Sequence, residues 1–389
     1  MALAHNPALA AGREQIGEAH GLAVQGAAFP DPTFSADATG LPNATGIGSR
    51  TGSDIGVDLT VPFPTKFLFE RRVGQAGIDA ARFSYLGLRQ QTASATAQAY
   101  DAVLVALKHQ ADLQQAKRLA DDFLKRTQDR YTEGSVPKLD VIRARVDVAG
   151  AVNALLANTR DLANARAGLN RLLGRTLGAG LVLTDTLTIP DTIPGLDTLL
   201  VVAERDRPEL RSVASQRRGA HAAATLSSEY WLPDVDLFVQ KNIVQGSPNS
   251  YTTGIGFSVP LFFWNHQRGE VSQAGHYARE LDATYRDVQA QVAQDVRTTY
   301  ATAATALQQA HYLASELVPE AREAYRIAST SYALGGASAL EVLDARRTLV
   351  QAESDYADAL GSANDARADL ERAIGAPLDS LSVGDSHAQ

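Results

Sequence analysis

The chain has 389 residues, and its 44 acidic side chains outnumber 36 basic ones for a net charge of −8. Both signs are interspersed along its length, so it offers no basic face for nucleic acid. Only 6% of residues are aromatic within a 45% hydrophobic share rich in alanine, which suits close helix–helix contact better than a bulky globular core; the lack of cysteine fits an exported, oxidising compartment.

The first predicted element is a helix up to about Ala28, ended by Phe29-Pro30-Asp31-Pro32 because proline cannot continue it. An extended segment follows from Thr33 to Leu41, then a Gly/Ser/Thr/Asn loop from Pro42 to Ser53. Next, Ile55, Val57, Leu59 and Val61 alternate with Gly56, Asp58 and Thr60, the period of a strand with one apolar face. A very long helix, about Phe69 to Arg130, reaches a tight turn at Tyr131-Thr132-Glu133-Gly134, and a second long helix returns from it. An irregular segment rich in Thr, Leu, Asp and Pro spans Gly174 to Leu199. The same plan then recurs. Trp231-Leu232-Pro233 precedes Val235, Leu237 and Val239, and a loop around Gly246 to Ser250 leads to Ile255, Phe257 and Val259. A helix from Gln267 to Thr330, interrupted only by Pro319, ends at Tyr332-Ala333-Leu334-Gly335, and its return carries apolar heptad spacing. In that return the seam runs Leu349, Ala352, Tyr356, Ala359, Ala363, Ala366, Leu370 and Ala373. In the first it is predicted at Val148, Val152, Leu155, Thr159, Leu162, Ala165, Leu169 and Leu172. At ~1.5 Å per residue each of the longest helices would measure about 90 to 100 Å.

The recurrence is a duplication with a constant offset of 201 positions. Tyr131, Gly134, Leu139, Val141, Ala144 and Arg145 return as Tyr332, Gly335, Leu340, Val342, Ala345 and Arg346. Ala165, Arg166, Ala167, Leu169, Arg171 and Gly174 return as Ala366, Arg367, Ala368, Leu370, Arg372 and Gly375. The expected organisation is therefore a first repeat over residues 1–190, a second over 191–376, and a disordered tail over 377–389. No segment has the ~18 to 20 unbroken apolar residues of a membrane-spanning helix. No signal-peptide pattern follows Met1, yet the helical lead-in from about Leu199 in copy two is largely missing from copy one, so the chain is expected to start late.

No constellation for chemistry emerges. The eight histidines never pair at i,i+3 or i,i+4, Gly46-Ile47-Gly48 leads into no helix, and no nucleophile elbow is present. The expectation is a protein that is not an enzyme, with no catalytic, cofactor or metal residues. A single hairpin with one apolar face, taken alone, reads more readily as an exposed hairpin of a soluble sheet. Two equivalent hairpins, each mounted on a very long helix, point instead to a wall that crosses a membrane as a barrel. The turn glycines suit plain helical-hairpin turns, whereas Glu341 and Asp344 lie at i,i+3 and share one helix face.

This pattern resembles the TolC-type outer-membrane efflux proteins over nearly the whole chain. The residues that carry the likeness are Asn6-Pro7-Ala8-Leu9, Phe29-Pro30, Val61-Pro62-Phe63, Val259-Pro260-Leu261-Phe262, the two Tyr-x-x-Gly turns and the twin Ala-Arg-Ala-x-Leu-x-Arg closings. The resemblance implies a mainly α chain with a transmembrane β-hairpin in each of two repeats. Three chains would form a 12-stranded β-barrel on a long α-helical coiled-coil barrel that projects from the outer membrane into the periplasm. It implies a homotrimer embedded in outer-membrane lipid and fed by a periplasmic adaptor (membrane fusion) protein and an inner-membrane RND or ABC pump. Ile55, Val57, Leu59, Val61, Val235, Leu237, Val239, Ile255, Phe257 and Val259 would face lipid. The turns, with Tyr131, Gly134, Leu139, Tyr332, Gly335 and Leu340, would meet adaptor and pump. Glu341 and Asp344 match acidic residues that narrow the entrance, whereas copy one offers Asp140 with Arg143 instead of two acids, a weaker or internally paired constriction; two acids at a helix start are also favoured by the helix dipole alone. Tyr332 matches a tyrosine that helps hold the entrance closed, while the family's basic partner falls near Ala337. Phe262-Phe263-Trp264-Asn265-His266-Gln267-Arg268-Gly269-Glu270 also looks like the strand-to-helix junction of heavy-metal efflux components. Two other readings stand beside this one: an exit duct for secreted proteins with the same fold, and a soluble coiled-coil scaffold.

Overall fold

The computed structural model describes residues 1–39, 52–190, 193–244, 248–259 and 263–382. Gly46-Ile47-Gly48, Gly246, Ser247 and Pro260-Leu261-Phe262 lie outside these. The elements are α1 (Ala2–His5), α2 (Pro7–Gly26), β1 (Thr33–Thr39), β2 (Gly52–Val61), α3 (Pro64–Thr132) and α4 (Lys138–Leu172). The second set is α5 (Leu196–Asp206), α6 (Pro208–Ser228), β3 (Asp234–Val244), β4 (Ser250–Ser258), α7 (Phe263–Tyr312), a π-helical turn (Leu313–Leu317), α8 (Val318–Ala333), α9 (Ala339–Ile374) and α10 (Asp379–Ser382). Two compact units cut across the duplication, each drawing on both repeats: Gly12–Tyr85 with Pro208–Gln289, and Met1–Ala11 with Leu86–Arg207 and Ala290–Gln389.

The first of these units holds one antiparallel sheet in the order β1-β2-β3-β4. The central ladder joins the copies, with Val57 opposite Val239 and Val61 opposite Val235. Each hairpin supplies one inner strand and one outer strand, so among the described residues of one chain the far edges of β1 and β4 carry no partner strand. The sheet is tied to α3 by Lys66, which is buried although charged. Its Nζ donates to the Leu232 carbonyl and to Asp234 Oδ1, both at 2.9 Å, and Asp234 also accepts from the Phe63 N–H at 3.0 Å. The start of α3 is thereby locked to the start of β3.

The other unit is helical, and its turns display the duplication in the backbone. Among the described residues the glycines with positive φ are Gly134, Gly174, Gly335 and Gly375, two pairs at the repeat offset. A Cβ on Gly174 would lie against the His5 carbonyl oxygen, and one on Gly375 would fall 2.9 Å from that of Asp206, so the helix ends close onto equivalent chain segments. The matching caps differ chemically. Asn6 donates to the Leu172 carbonyl at 3.1 Å, while Arg207 donates to the Ala373 carbonyl at 2.6 Å and to Asp295 at 3.1 Å.

Three expectations are corrected by the packing. On α4 the buried positions are Val141, Ala144, Ala151, Asn158, Leu162, Leu169 and Asn170, so the seam runs through Ala151 and Asn158 rather than Val152 and Thr159. Asn158 is tolerated there because its amide donates to the Ala106 carbonyl of α3 at 3.1 Å. The second long helix is not continuous: a π-helical turn at Leu313–Leu317 precedes Pro319. Proline supplies no N–H to the carbonyl four residues back and crowds it, and widening the helix by one residue per turn relieves both. The tail is folded through Ser382, with Leu378 buried and Asp379 paired with Arg367; residues 383–389 lie outside the described set.

Candidate functional site

The register divides the sheet into two unlike faces. Ile55, Val57, Leu59 and Val61 of β2, Val235, Leu237 and Val239 of β3, and Ile255 and Phe257 of β4 share one face, with Phe34 of β1 beside Val57. Ile255 and Phe257 are 70% and 72% exposed, so none of the described residues covers this apolar surface at β4. Val259 follows the end of β4 and is exposed as well. The opposite face carries Ser35, Asp37, Asp54, Asp58, Thr60, Asp236, Gln240, Asn242 and Thr252, with Phe238 lying across Gly254. Asp58 accepts from Ser35 at 3.1 Å and Asp236 from Thr60 at 2.7 Å. Among the described strand residues this face bears five aspartates, counting Asp234, and no lysine or arginine.

At the two helical turns, identical residues meet different surroundings. Tyr332 is 2% exposed and Tyr131 43%. The Tyr332 hydroxyl bonds Thr127 Oγ1 at 3.3 Å, its ring packs on Phe123 at 5.2 Å, and the Arg130 guanidinium lies over the ring at 4.7 Å. Arg130 also donates to the Tyr332 carbonyl. The cation that steadies this turn therefore comes from the incoming helix of the first repeat, not from the position of Ala337. Sequence comparison between the copies could not have found it, since the counterpart of Arg130 is Ser331. A Cβ would meet open space at Gly134 and only an ordinary contact with the Arg130 guanidinium, at 3.8 Å, at Gly335, and Leu139 and Leu340 are both exposed.

Glu341 and Asp344 project from the first turns of α9 and are exposed. Glu341 completes a capping box: its carboxylate accepts from the Ser338 N–H at 2.8 Å and its own N–H donates to Ser338 Oγ at 3.3 Å. Asp344 makes no such bond and lines a groove of about 600 Å³ with Arg143, Val146, Asp147, Leu343 and Arg347. Asp140 lies 3.5 Å from Arg143 and is thus internally paired. Behind the groove, Arg346 is buried, donating to the Ala116 carbonyl at 3.3 Å and to Asp147. Farther along the same unit, burial raises the Asp101 carboxyl to about 6, helped by the charge of Asp365, and burial raises Asp365 to about 6, helped by Asp369.

No described helix is long and apolar enough to cross a membrane, and no group of three or more His, Asp or Glu side chains among the described residues could hold a metal ion. Comparison with known proteins agrees with the strand-and-helix plan. The chain is 22% identical over 379 residues to the cobalt-zinc-cadmium resistance protein CzcC of Cupriavidus metallidurans, covering 96% of this chain and 88% of that one. Its fold matches the outer-membrane channel OprN with a TM-score of 0.83 at 19% identity, covering 97% of this chain and 88% of that one. It matches the outer membrane protein VceC of Vibrio cholerae with a TM-score of 0.81 at 18% identity, covering 97% and 95%. The model of the outer membrane efflux protein family matches residues 1–175 and 199–376, one block for each copy, and the chain belongs to that outer-membrane family.

Proposed function

We propose that three copies of this chain close into a 12-stranded barrel in the outer membrane and serve as the exit duct of a tripartite efflux system. The observation that carries this reading is the four-stranded sheet with one exposed apolar face, one polar face and two unpaired edges. A bilayer tolerates no free sheet edge, and β1 of one copy pairing with β4 of the next removes them all. The apolar face from Ile55 to Val259 then meets lipid and the aspartate-bearing face lines the lumen. The turns at Tyr131–Leu139 and Tyr332–Leu340 form the tip that receives a periplasmic adaptor and an inner-membrane pump. Asp344 and Glu341, repeated three times, form the entrance constriction, with Asp140 weakened by its pairing to Arg143.

Divalent metal ions are the cargo we favour. The likeness to a cobalt-zinc-cadmium resistance protein supports this, as does a lumen-side strand face with carboxylates and no cation. The test is single-channel recording of the full chain in planar bilayers. Glu341→Gln with Asp344→Asn should raise conductance or weaken block by divalent cations. Unchanged conductance and block would remove these residues from the constriction, and absence of any channel would remove the duct.

A further inference from the structure

Where the sheet meets the start of α3, three separate chain segments bring aromatic side chains to the junction held by Lys66. Phe29, beyond α2, is 62% exposed and stacks on Phe67 of the first turn of α3 at 5.2 Å. Trp231, between α6 and β3, is 52% exposed, and Tyr230 beside it lies 5.3 Å from the Lys66 Nζ that locks this junction. One turn farther along α3 come Arg71 and Arg72, both exposed, with their guanidinium carbons 5.9 Å from the Phe67 ring and 5.0 Å from the Phe69 ring. Arg268 lies in the second turn of α7, the corresponding helix of the second repeat, and is exposed too. None of the three arginines has an ion-pair partner among the described residues. Arg72 also opens onto a groove of about 510 Å³ between α3 and α6, lined by Asp79, Arg217, Arg218 and His221. There Asp79 pairs with Arg218, and Asp282 with Arg217 and His221.

We propose that Phe29, Phe67 and Trp231 with Arg71, Arg72 and Arg268 form a collar that binds anionic phospholipid headgroups of the periplasmic leaflet. The spacing fits. Four residues of helix advance ~6 Å, which matches the ~5 to 7 Å between the acyl boundary and the outer limit of the headgroups. Aromatic rings favour the boundary itself because one edge is apolar and the other wet. Guanidinium groups one turn below meet phosphate diesters, which they bind in a planar fork, and cations left without carboxylate partners are free to do so. The groove behind Arg72 has room for one headgroup. This inference rests on the barrel reading, since it needs the sheet to sit in the bilayer.

The test is the full chain reconstituted in nanodiscs of phosphatidylethanolamine with increasing phosphatidylglycerol, with thermal unfolding as the readout. The wild type should be stabilised as phosphatidylglycerol increases, and high salt should weaken the effect. Arg71→Gln with Arg72→Gln and Arg268→Gln should shift the half-saturating phosphatidylglycerol fraction upward, at about fivefold per arginine. Arg160→Gln, a remote exposed arginine, should leave it unchanged. A wild type that inserts but ignores phosphatidylglycerol, or a triple variant that responds like the wild type, overturns the collar while leaving the barrel intact. A chain that inserts in neither lipid overturns both.

Discussion

Arg346 tests how the two repeats are held together. Its guanidinium is buried, one nitrogen bonds the Ala116 carbonyl of α3 and another Asp147 of α4, while its Nε and Asp147 Oδ2 are buried with no hydrogen-bond partner among the described residues. The pair joins three helices across both copies, yet it is only partly satisfied. Truncating one member leaves the other as an uncompensated buried charge, so Arg346→Ala or Asp147→Ala should each cost about 3–5 kcal/mol. Replacing both with apolar residues of similar volume, Arg346→Met with Asp147→Leu, removes the desolvation penalty along with the attraction. The double variant should therefore lie within about 1 kcal/mol of the wild type, or above it. The assay is thermal unfolding of the detergent-solubilised protein at fixed protein and detergent concentration, with loss of helical signal as the readout. If the double variant is no more stable than the worse single one, the ion pair is a net stabiliser and the reasoning fails. If Arg346→Ala costs less than about 1 kcal/mol, the side chain is not buried as described.

Asp101 and Asp365 titrate near 6 in the folded chain, above the usual carboxylate value, so the folded state binds protons that the unfolded chain releases. Stability should consequently fall as pH rises from about 4 through about 6, and Asp101→Asn with Asp365→Asn should flatten that decline in a melting-temperature series from pH 4.5 to 8. Gly375→Ala forces a side chain into a left-handed residue and against the Asp206 carbonyl, so it should cost about 2 kcal/mol or more in thermal unfolding, whereas Gly335→Ala, left-handed too but without a clash, should cost about 1 kcal/mol. Tyr332→Phe removes only the bond to Thr127 and should cost about 1 kcal/mol. Arg130→Gln releases both the ring and the carbonyl of Tyr332, and it should speed proteolytic cleavage within residues 333–338 in limited digestion.

Much of this fold is legible because its signals are local. Strand alternation identifies the apolar face residue by residue, and the glycines at 134, 174, 335 and 375 announce turns that only a left-handed residue closes. The α4 seam was misplaced by one position at two points because heptad counting sees one helix alone. Val152 looks a better core residue than Ala151, but α3 approaches closely enough that alanine and a hydrogen-bonded Asn158 fit there. The π-helical turn escaped for a similar reason: Pro319 marks a disturbance without saying whether the helix will kink, end or widen. Arg130 carried no signal at all, because its role depends on a turn some two hundred positions away in the chain.

The two copies share residues but not environments, and that difference bears on assembly. Tyr332 and Arg346 are buried against the first repeat, whereas Tyr131 and Arg145, the same residues in copy one, are exposed, as are Ile142 and Val146 beside them. A duplicated sequence gains nothing from keeping tyrosine, arginine and an apolar stripe on a surface that faces only water. The contact made by copy two on copy one shows what such a face packs against, and one chain supplies that contact once. In the ring proposed above, every copy-one face would meet the copy two of a neighbour. The neighbour's counterparts of Phe123, Thr127 and Arg130 are Ala324, Ala328 and Ser331, smaller residues that would leave the Tyr131 site roomier and without a cation. Contacts between chains would then be looser than those within a chain, and in the proposed ring the seam between chains would be the place for the helical end to open.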